Sequence, residues 1–156
     1  MTALELIRAL AHDAPVGVVV TDATIELPGP TIIYANPAFA LLVGRELADI
    51  VGLSSRFMQG KETRRTALDT FRRALASGER FHGYLTNYRA DGTKYRAEID
   101  CRPLRNAEGW IEHFVSFERE VLRRIGRPAV NAGGRYDPAI ASNDLLNGAL
   151  LSLIHI

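Results

Sequence analysis

The hydrophobic period of this chain changes near residue 81, and that change restricts the folds open to it. Between residues 36 and 76 apolar side chains recur at helical spacing, whereas from Phe81 onward they alternate. Phe81 to Arg89, Thr93 to Pro103 and Trp110 to Glu120 read as three strands, with Asp91-Gly92 as a hairpin turn and Asn106 to Gly109 as the next loop. Ahead of the helical part, Gly17-Val18-Val19-Val20-Thr21-Asp22 and Thr31-Ile32-Ile33-Tyr34-Ala35 are β-branched strand segments joined through Leu27-Pro28-Gly29-Pro30. Two strands, short helices and three strands predict an α+β domain, a five-stranded antiparallel sheet with short helices on one face.

The helical part is punctuated by its own start and stop residues. Asn36 precedes a proline at the first helical position, and Phe39, Leu41, Leu42 and Val43 give a buried side as far as Gly44. Glu46 to Val51 adds a turn before Gly52. Thr63 to Ala76 is a longer helix that places Ala67, Leu68, Phe71, Ala74 and Leu75 on one face, with Gly78 as its stop. Arg64, Arg65, Asp69, Arg72 and Arg73 fall on its solvated side.

The flanks differ from this middle. Leu4, Leu6, Ile7, Leu10 and Ala11 predict an amphipathic cap helix within residues 1–14, and its apolar stripe needs a partner. Residues 15–121 form the domain. Gly126, Pro128, Gly133-Gly134 and Pro138 mark residues 122–156 as a linker or tail. Its last six residues, Leu151-Ser152-Leu153-Ile154-His155-Ile156, match one reading frame of a transposon-end sequencing adapter; on that reading the natural chain continues differently, with an effector beyond it.

With 156 residues, 47% of them hydrophobic, the chain has the length for one core and no second full domain. A formal charge of +1 lacks the polycationic signature of nucleic-acid binding. The single cysteine, Cys101, excludes an intrachain disulfide and a multi-cysteine zinc site, and fits a reducing compartment. No apolar run is long enough to span a bilayer and no secretory leader is visible, so the expectation is a cytoplasmic protein without a membrane partner. His12, His82, His113 and His155 show no catalytic spacing, and there is no P-loop or dinucleotide fingerprint, so enzymatic activity is not expected of these residues.

Alternation places one wall of an interior. On the strand from residue 93 to 103, Tyr95, Ala97, Ile99 and Cys101 share the face opposite Arg96, Glu98, Asp100 and Arg102, and so point to the core. A buried lone cysteine is ordinarily an inert apolar filler.

Several local motifs, taken together, carry a family resemblance over residues 15 to 121. Thr21-Asp22, Ala35-Asn36-Pro37-Ala38-Phe39, Val51-Gly52 leading into Arg56-Phe57-Met58-Gln59-Gly60, Leu85-Thr86-Asn87-Tyr88-Arg89-Ala90-Asp91-Gly92 and His113-Phe114-Val115 occur in the order and at the spacing of a LOV (light-oxygen-voltage) domain. The chain thus resembles the flavin-binding LOV branch of the PAS superfamily, which implies a PAS fold, FMN as cofactor and a role in sensory signal transduction. In that family the motif G-x-N-C-R-F-L-Q supplies a cysteine that bonds to the flavin under blue light. Here the stretch is Gly52-Leu53-Ser54-Ser55-Arg56-Phe57-Met58-Gln59, so the cysteine position is Ser55. A serine hydroxyl is a much poorer nucleophile at neutral pH, and the cysteinyl adduct is not expected.

The resemblance also assigns the remaining site positions. It implies that Thr21, Ser54, Ser55, Arg56, Met58, Gln59, Asn87, Ala97, Ile99, Cys101, Phe114, Ser116 and Glu118 surround the flavin, with Arg56 on its phosphate. Of the two asparagines that hydrogen-bond the flavin's pyrimidine edge, Asn87 remains and the second position is Ala97. The glutamine that senses protonation of the ring aligns with Glu118, and a second phosphate-binding arginine aligns with Asp69. Glu118, if buried, must be protonated or paired with an arginine such as Arg56; otherwise it is a surface residue. Cys101 would meet the flavin from the sheet side, as a displaced thiol or as filler. If Phe114, Ser116 and Glu118 face inward, then His113, Val115 and Phe117 face outward, and Val115 and Phe117 need cover from the N-terminal helix, a C-terminal helix or a second subunit.

Two functions follow. The first is a flavin sensor that signals by photoreduction or redox change without an adduct, and the alternative is a chromophore-free PAS module for dimerisation or protein interaction. By the same resemblance the partners are a second copy of the chain and a C-terminal effector of the histidine kinase type.

Overall fold

The computed structural model describes residues 1–123 and 136–138. Its sheet contains β1 (Gly17–Asp22), β2 (Ile32–Ala35), β3 (Phe81–Tyr88), β4 (Lys94–Arg105) and β5 (Ile111–Arg123), in the spatial order β2-β1-β5-β4-β3 with antiparallel neighbours. The five strands expected from the two β-branched segments and the three period-two segments are all present. One strand was not anticipated: β6 (Tyr136–Pro138), inside the segment read as a linker, pairs with the end of β5 through Val121↔Pro138 and Arg123↔Tyr136. It takes up an edge of β5 that β1 leaves free, because β1 pairing stops at Gly17↔Glu118.

On one face of the sheet lie α2 (Pro37–Val43), α3 (Leu47–Ile50), a 3-10 turn at Ser55–Met58 and α3's longer successor α4 (Arg65–Ala76). Phe39, Val43 and Ile50 pack on Val19, Ile32 and Ala35 of the β1–β2 hairpin. Leu75, with Leu68 and Phe71, packs against Phe81, Leu85, Ile99 and Phe114 at the other end. The region between these two clusters is where the site forms.

The opposite face is covered by α1 (Ala3–Ala11), which settles what shields it on that side. Leu4, Ile7 and Ala11 lie in one cluster with Val18, Val20, Tyr34, Val115 and Phe117. Val115 is therefore buried in the single chain, and the outer sheet face is not open there. Covering both faces also explains why β1 reads as an unbroken valine run instead of an alternating strand. Thr2 caps α1 through a reciprocal capping box with Glu5.

Asn36 fastens these layers together. It is fully buried, and its Oδ1 accepts from the backbone N–H of Val18 at 2.8 Å and of Phe39 at 3.1 Å. Its Nδ2 donates to the carbonyls of Ala11 at 2.9 Å and Val16 at 3.0 Å. One amide thus caps α2, pairs with β1 and anchors the end of α1. Among the described residues no helix is long and apolar enough to cross a membrane.

Candidate functional site

A cavity of about 300 Å³ lies between the sheet and α4, within the size range of small-ligand pockets. The sheet contributes Val19 and Thr21 from β1, Leu85 and Asn87 from β3, Ile99 and Cys101 from β4, and Phe114, Ser116 and Glu118 from β5. These are inward positions of the alternating strands. Ser55, Arg56, Met58 and Gln59 enter from the 3-10 turn and its end, and Leu68, Phe71 and Leu75 from α4.

Eleven of the thirteen positions named from the sequence therefore line one cavity, and two do not. Ser54 is the N-cap of the 3-10 turn, its hydroxyl accepting from the Arg56 N–H at 3.2 Å, and the turn projects the following residues inward instead. Ala97 is fully buried in the core cluster of β3, β4 and α4 and does not line the cavity. The wall also holds residues that sequence reasoning did not assign: Ile25, Leu27 and Pro30 come from the β1–β2 loop, whose course no periodic signal reveals, and Arg72 comes from the side of α4 read as solvated, as do Arg65 and Asp69, the latter aligned with a phosphate-binding position. Arg64 instead lines a separate hollow with Lys94 and Arg123.

Three polar groups set the chemistry. Glu118 is 4% exposed and has no hydrogen-bond or ion-pair partner among the described residues, and burial raises its carboxyl from the ordinary 4.5 to about 7. It does not pair with Arg56. The Arg56 guanidinium is turned to the β1–β2 loop, where Nε donates to the Gly29 carbonyl at 3.1 Å and Nη2 to the Ile25 carbonyl at 3.4 Å. Asn87 is 2% exposed, and its amide donates to the Met58 sulfur at 3.9 Å, a weak thioether acceptor, and to the Tyr95 hydroxyl.

Cys101 is the structure's answer to a displaced nucleophile. Burial pushes its thiol up to about 12, partly offset by a hydrogen bond from its cross-strand neighbour Ser116. Almost no thiolate exists near neutral pH, so Cys101 behaves as apolar wall. The Thr21 hydroxyl is likewise engaged, donating to the Asp22 carbonyl at 2.8 Å.

The arrangement meets a test of fit for a planar heteroaromatic ligand such as a flavin. Two buried polar side chains, Glu118 without a partner and Asn87 on the Tyr95 hydroxyl and the Met58 sulfur, face the same cavity as the apolar Val19, Leu85, Ile99 and Phe114, and a polar ligand edge would give Glu118 the hydrogen bonding it lacks. Arg56, Arg65, Asp69 and Arg72 also border the cavity. Among the described residues no cluster of His, Cys, Asp or Glu could hold a metal ion.

Comparisons with known proteins bear on the same region. The family profile described as PAS domain matches residues 15–122. The chain is 32% identical over 113 residues to the bacterioopsin transcriptional activator of Halobacterium salinarum, covering 72% of this chain and 16% of that protein. It is also 32% identical over 101 residues to the blue-light-activated histidine kinase of Brucella canis, covering 65% of this chain and 21% of the kinase. The chain spans about a fifth of the length of the curated relatives it matches. Among solved structures, the light-state LOV domain of the blue-light photoreceptor Aureochrome1 superposes with a TM-score of 0.64 at 36% identity, over 75% of this chain and 89% of that one. A LOV domain studied with a flavin analogue gives a TM-score of 0.67 at 30% identity, over 76% and 85% of the two chains.

Proposed function

The chain belongs to the PAS domain family and is a LOV-type sensory module for signal transduction, and from that premise we propose that its cavity binds FMN non-covalently and signals by photoreduction or redox change. The observation that carries this reading is the unpartnered, buried Glu118 facing an apolar slot together with Asn87. A closed core has no use for an unpaired carboxyl, whereas a ligand with polar ring atoms gives it a partner.

A bound flavin supplies absorption of blue light and reversible reduction. The chain's own residues supply the rest. Asn87 and Gln59 would hold the polar edge of the ring, and Leu85, Ile99, Phe114 and Leu68 would exclude water from it. Ser55 occupies the position from which a cysteine would react and presents a weak nucleophile, so no covalent bond forms there. Glu118, whose carboxyl titrates near neutral pH, gains or gives up a proton as the charge beside it changes.

The consequence reaches the other side of the sheet through β5. Glu118 points inward between Phe117 and Arg119, which point outward. Arg119 donates to Glu98 at 2.8 Å, and Glu98 contacts His82 at 2.7 Å, while Phe117 and Val115 support α1. A change in Glu118 is thus placed to shift α1 and the charged network together.

Adding FMN to the purified protein is expected to produce a structured blue absorption band, with Asn87→Leu weakening uptake about tenfold or more through one lost buried hydrogen bond and an unmatched ring atom. A protein that stays colourless with added FMN sinks this reading.

The partners proposed with this function are a second copy of the chain and a C-terminal effector of the histidine kinase type. Val115 is covered, so the homodimer contact falls to the outward side of α1, where Leu6 and Leu10 are 47% and 43% exposed one helical turn apart. Leu6→Glu with Leu10→Glu is expected to give a monomer in sedimentation while far-UV circular dichroism stays unchanged. An unchanged oligomeric state removes α1 from the contact.

A further inference from the structure

We infer that α1 is a releasable cap, hinged at Ala11, whose resting position is held by Arg8 and opposed by the hydroxyl of Tyr34. The device lies on the face of the sheet opposite the cavity and works whether or not a flavin is bound.

α1 is fastened unevenly. Its last residue, Ala11, is buried, and the Ala11 carbonyl accepts from Asn36 Nδ2 at 2.9 Å and from the Ala14 N–H at 3.1 Å. Toward the N-terminus the grip loosens, because Leu4 and Ile7 are only half-buried and Ala11 is the one buried residue of the helix. The first two turns therefore rest on the sheet through two half-buried apolar side chains and one cation, the Arg8 guanidinium, which stands 5.6 Å from the centre of the Tyr34 ring.

Tyr34 works against that contact. The residue is 9% exposed, and its hydroxyl is buried without a hydrogen-bond partner among the described residues. With α1 down, the hydroxyl gives up water and receives nothing in exchange; with the first turns lifted it is hydrated, so the unmet hydroxyl favours the lifted position. The ring favours the closed one, through its apolar area and through Arg8. Two parts of one side chain thus pull in opposite directions. Tyr34 also stands opposite Val20, and Val20 opposite Val115 of β5, so the three form one row across the sheet beneath α1. The β1–β2 pairing shifts register directly beyond, between Val20 and Thr21. A displacement of β5 therefore reaches α1 at the residue that already opposes its docking.

Amide hydrogen exchange of the full chain reads the balance, because a helix of nine residues lifted from its sheet does not stay helical in water and its exchange rate follows the opening equilibrium. Tyr34→Phe keeps the ring and removes the hydroxyl, and is expected to slow exchange at residues 6–10 about fivefold while leaving β3 and β4 unchanged. Arg8→Met keeps an unbranched side chain and removes the cation, and is expected to speed exchange at the same residues about threefold. Unchanged or faster exchange at residues 6–10 in Tyr34→Phe overturns the inference, and so does a slowing shared equally by β3 and β4, which would make Tyr34 an ordinary determinant of whole-domain stability. Residues 6–10 already unprotected in the original chain overturn it as well, since α1 would then not be docked. The measurement is made at two chain concentrations, and a Tyr34→Phe effect that disappears on dilution assigns the protection to a subunit contact and rejects the cap.

Discussion

Asn36→Asp is expected to lower the unfolding free energy by about 4 kcal/mol at pH 7, although it exchanges one NH2 group for an oxygen. The side chain is fully buried, and its amide nitrogen donates to the Ala11 and Val16 carbonyls. An aspartate keeps the acceptor for Val18 and Phe39 but turns an oxygen toward two carbonyl oxygens, and it buries a charge. Each lost buried hydrogen bond costs about 1 kcal/mol or more, and burying the charge adds to it. Asn106→Asp is a matched control: its Oδ1 only accepts, from the N–H groups of Glu108 and Trp110, so the same exchange there should change stability by less than about 0.5 kcal/mol. Urea unfolding of both variants makes the comparison, and similar losses for the two would show that Asn36 does not tie α1, β1 and α2 together as described.

Glu118→Gln is expected to change how stability depends on pH. The folded carboxyl is raised to about 7 from an ordinary 4.5, so between these values the folded chain holds a proton that the unfolded chain has released. The stabilisation is complete below about pH 4.5 and is lost as pH rises through 7, amounting to about 3 kcal/mol. Glutamine cannot ionise. Relative to the original chain, the variant should therefore gain about 3 kcal/mol of stability between pH 4 and pH 8, with most of the gain between pH 4.5 and 7. Parallel stability profiles across that range would mean that Glu118 is solvated or paired, and would remove the basis for its proposed proton exchange.

Much of the fold was legible because its signals are local. Alternation fixed the facing of Ile99 and Cys101, Asp91-Gly92 marked the β3–β4 turn where Gly92 takes a φ of +87°, and Asn36-Pro37 marked the start of α2. The residues that escaped were those placed by tertiary approach: Arg72 has the spacing of an exposed helix side, and Ile25, Leu27 and Pro30 lie in a loop, yet all four border the cavity. Arg56 lines the cavity, yet its orientation depends on carbonyls in a loop with no period to read. The three residues of β6 escaped for another reason: a strand that short pairs because β5 offers a free edge, not because its own sequence demands it.

β5 is bordered by other strands on both of its long sides, with β1 and then β6 on one and β4 on the other. Such a strand has no loose margin from which to peel, so it can hardly respond to events beneath it by melting. Whatever happens at its underside has to travel as a small rigid tilt, and the first element that tilt would meet is the helix resting on Val115 and Phe117. The chain's opening segment would then serve as the pointer of the instrument, and the sheet as its dial plate.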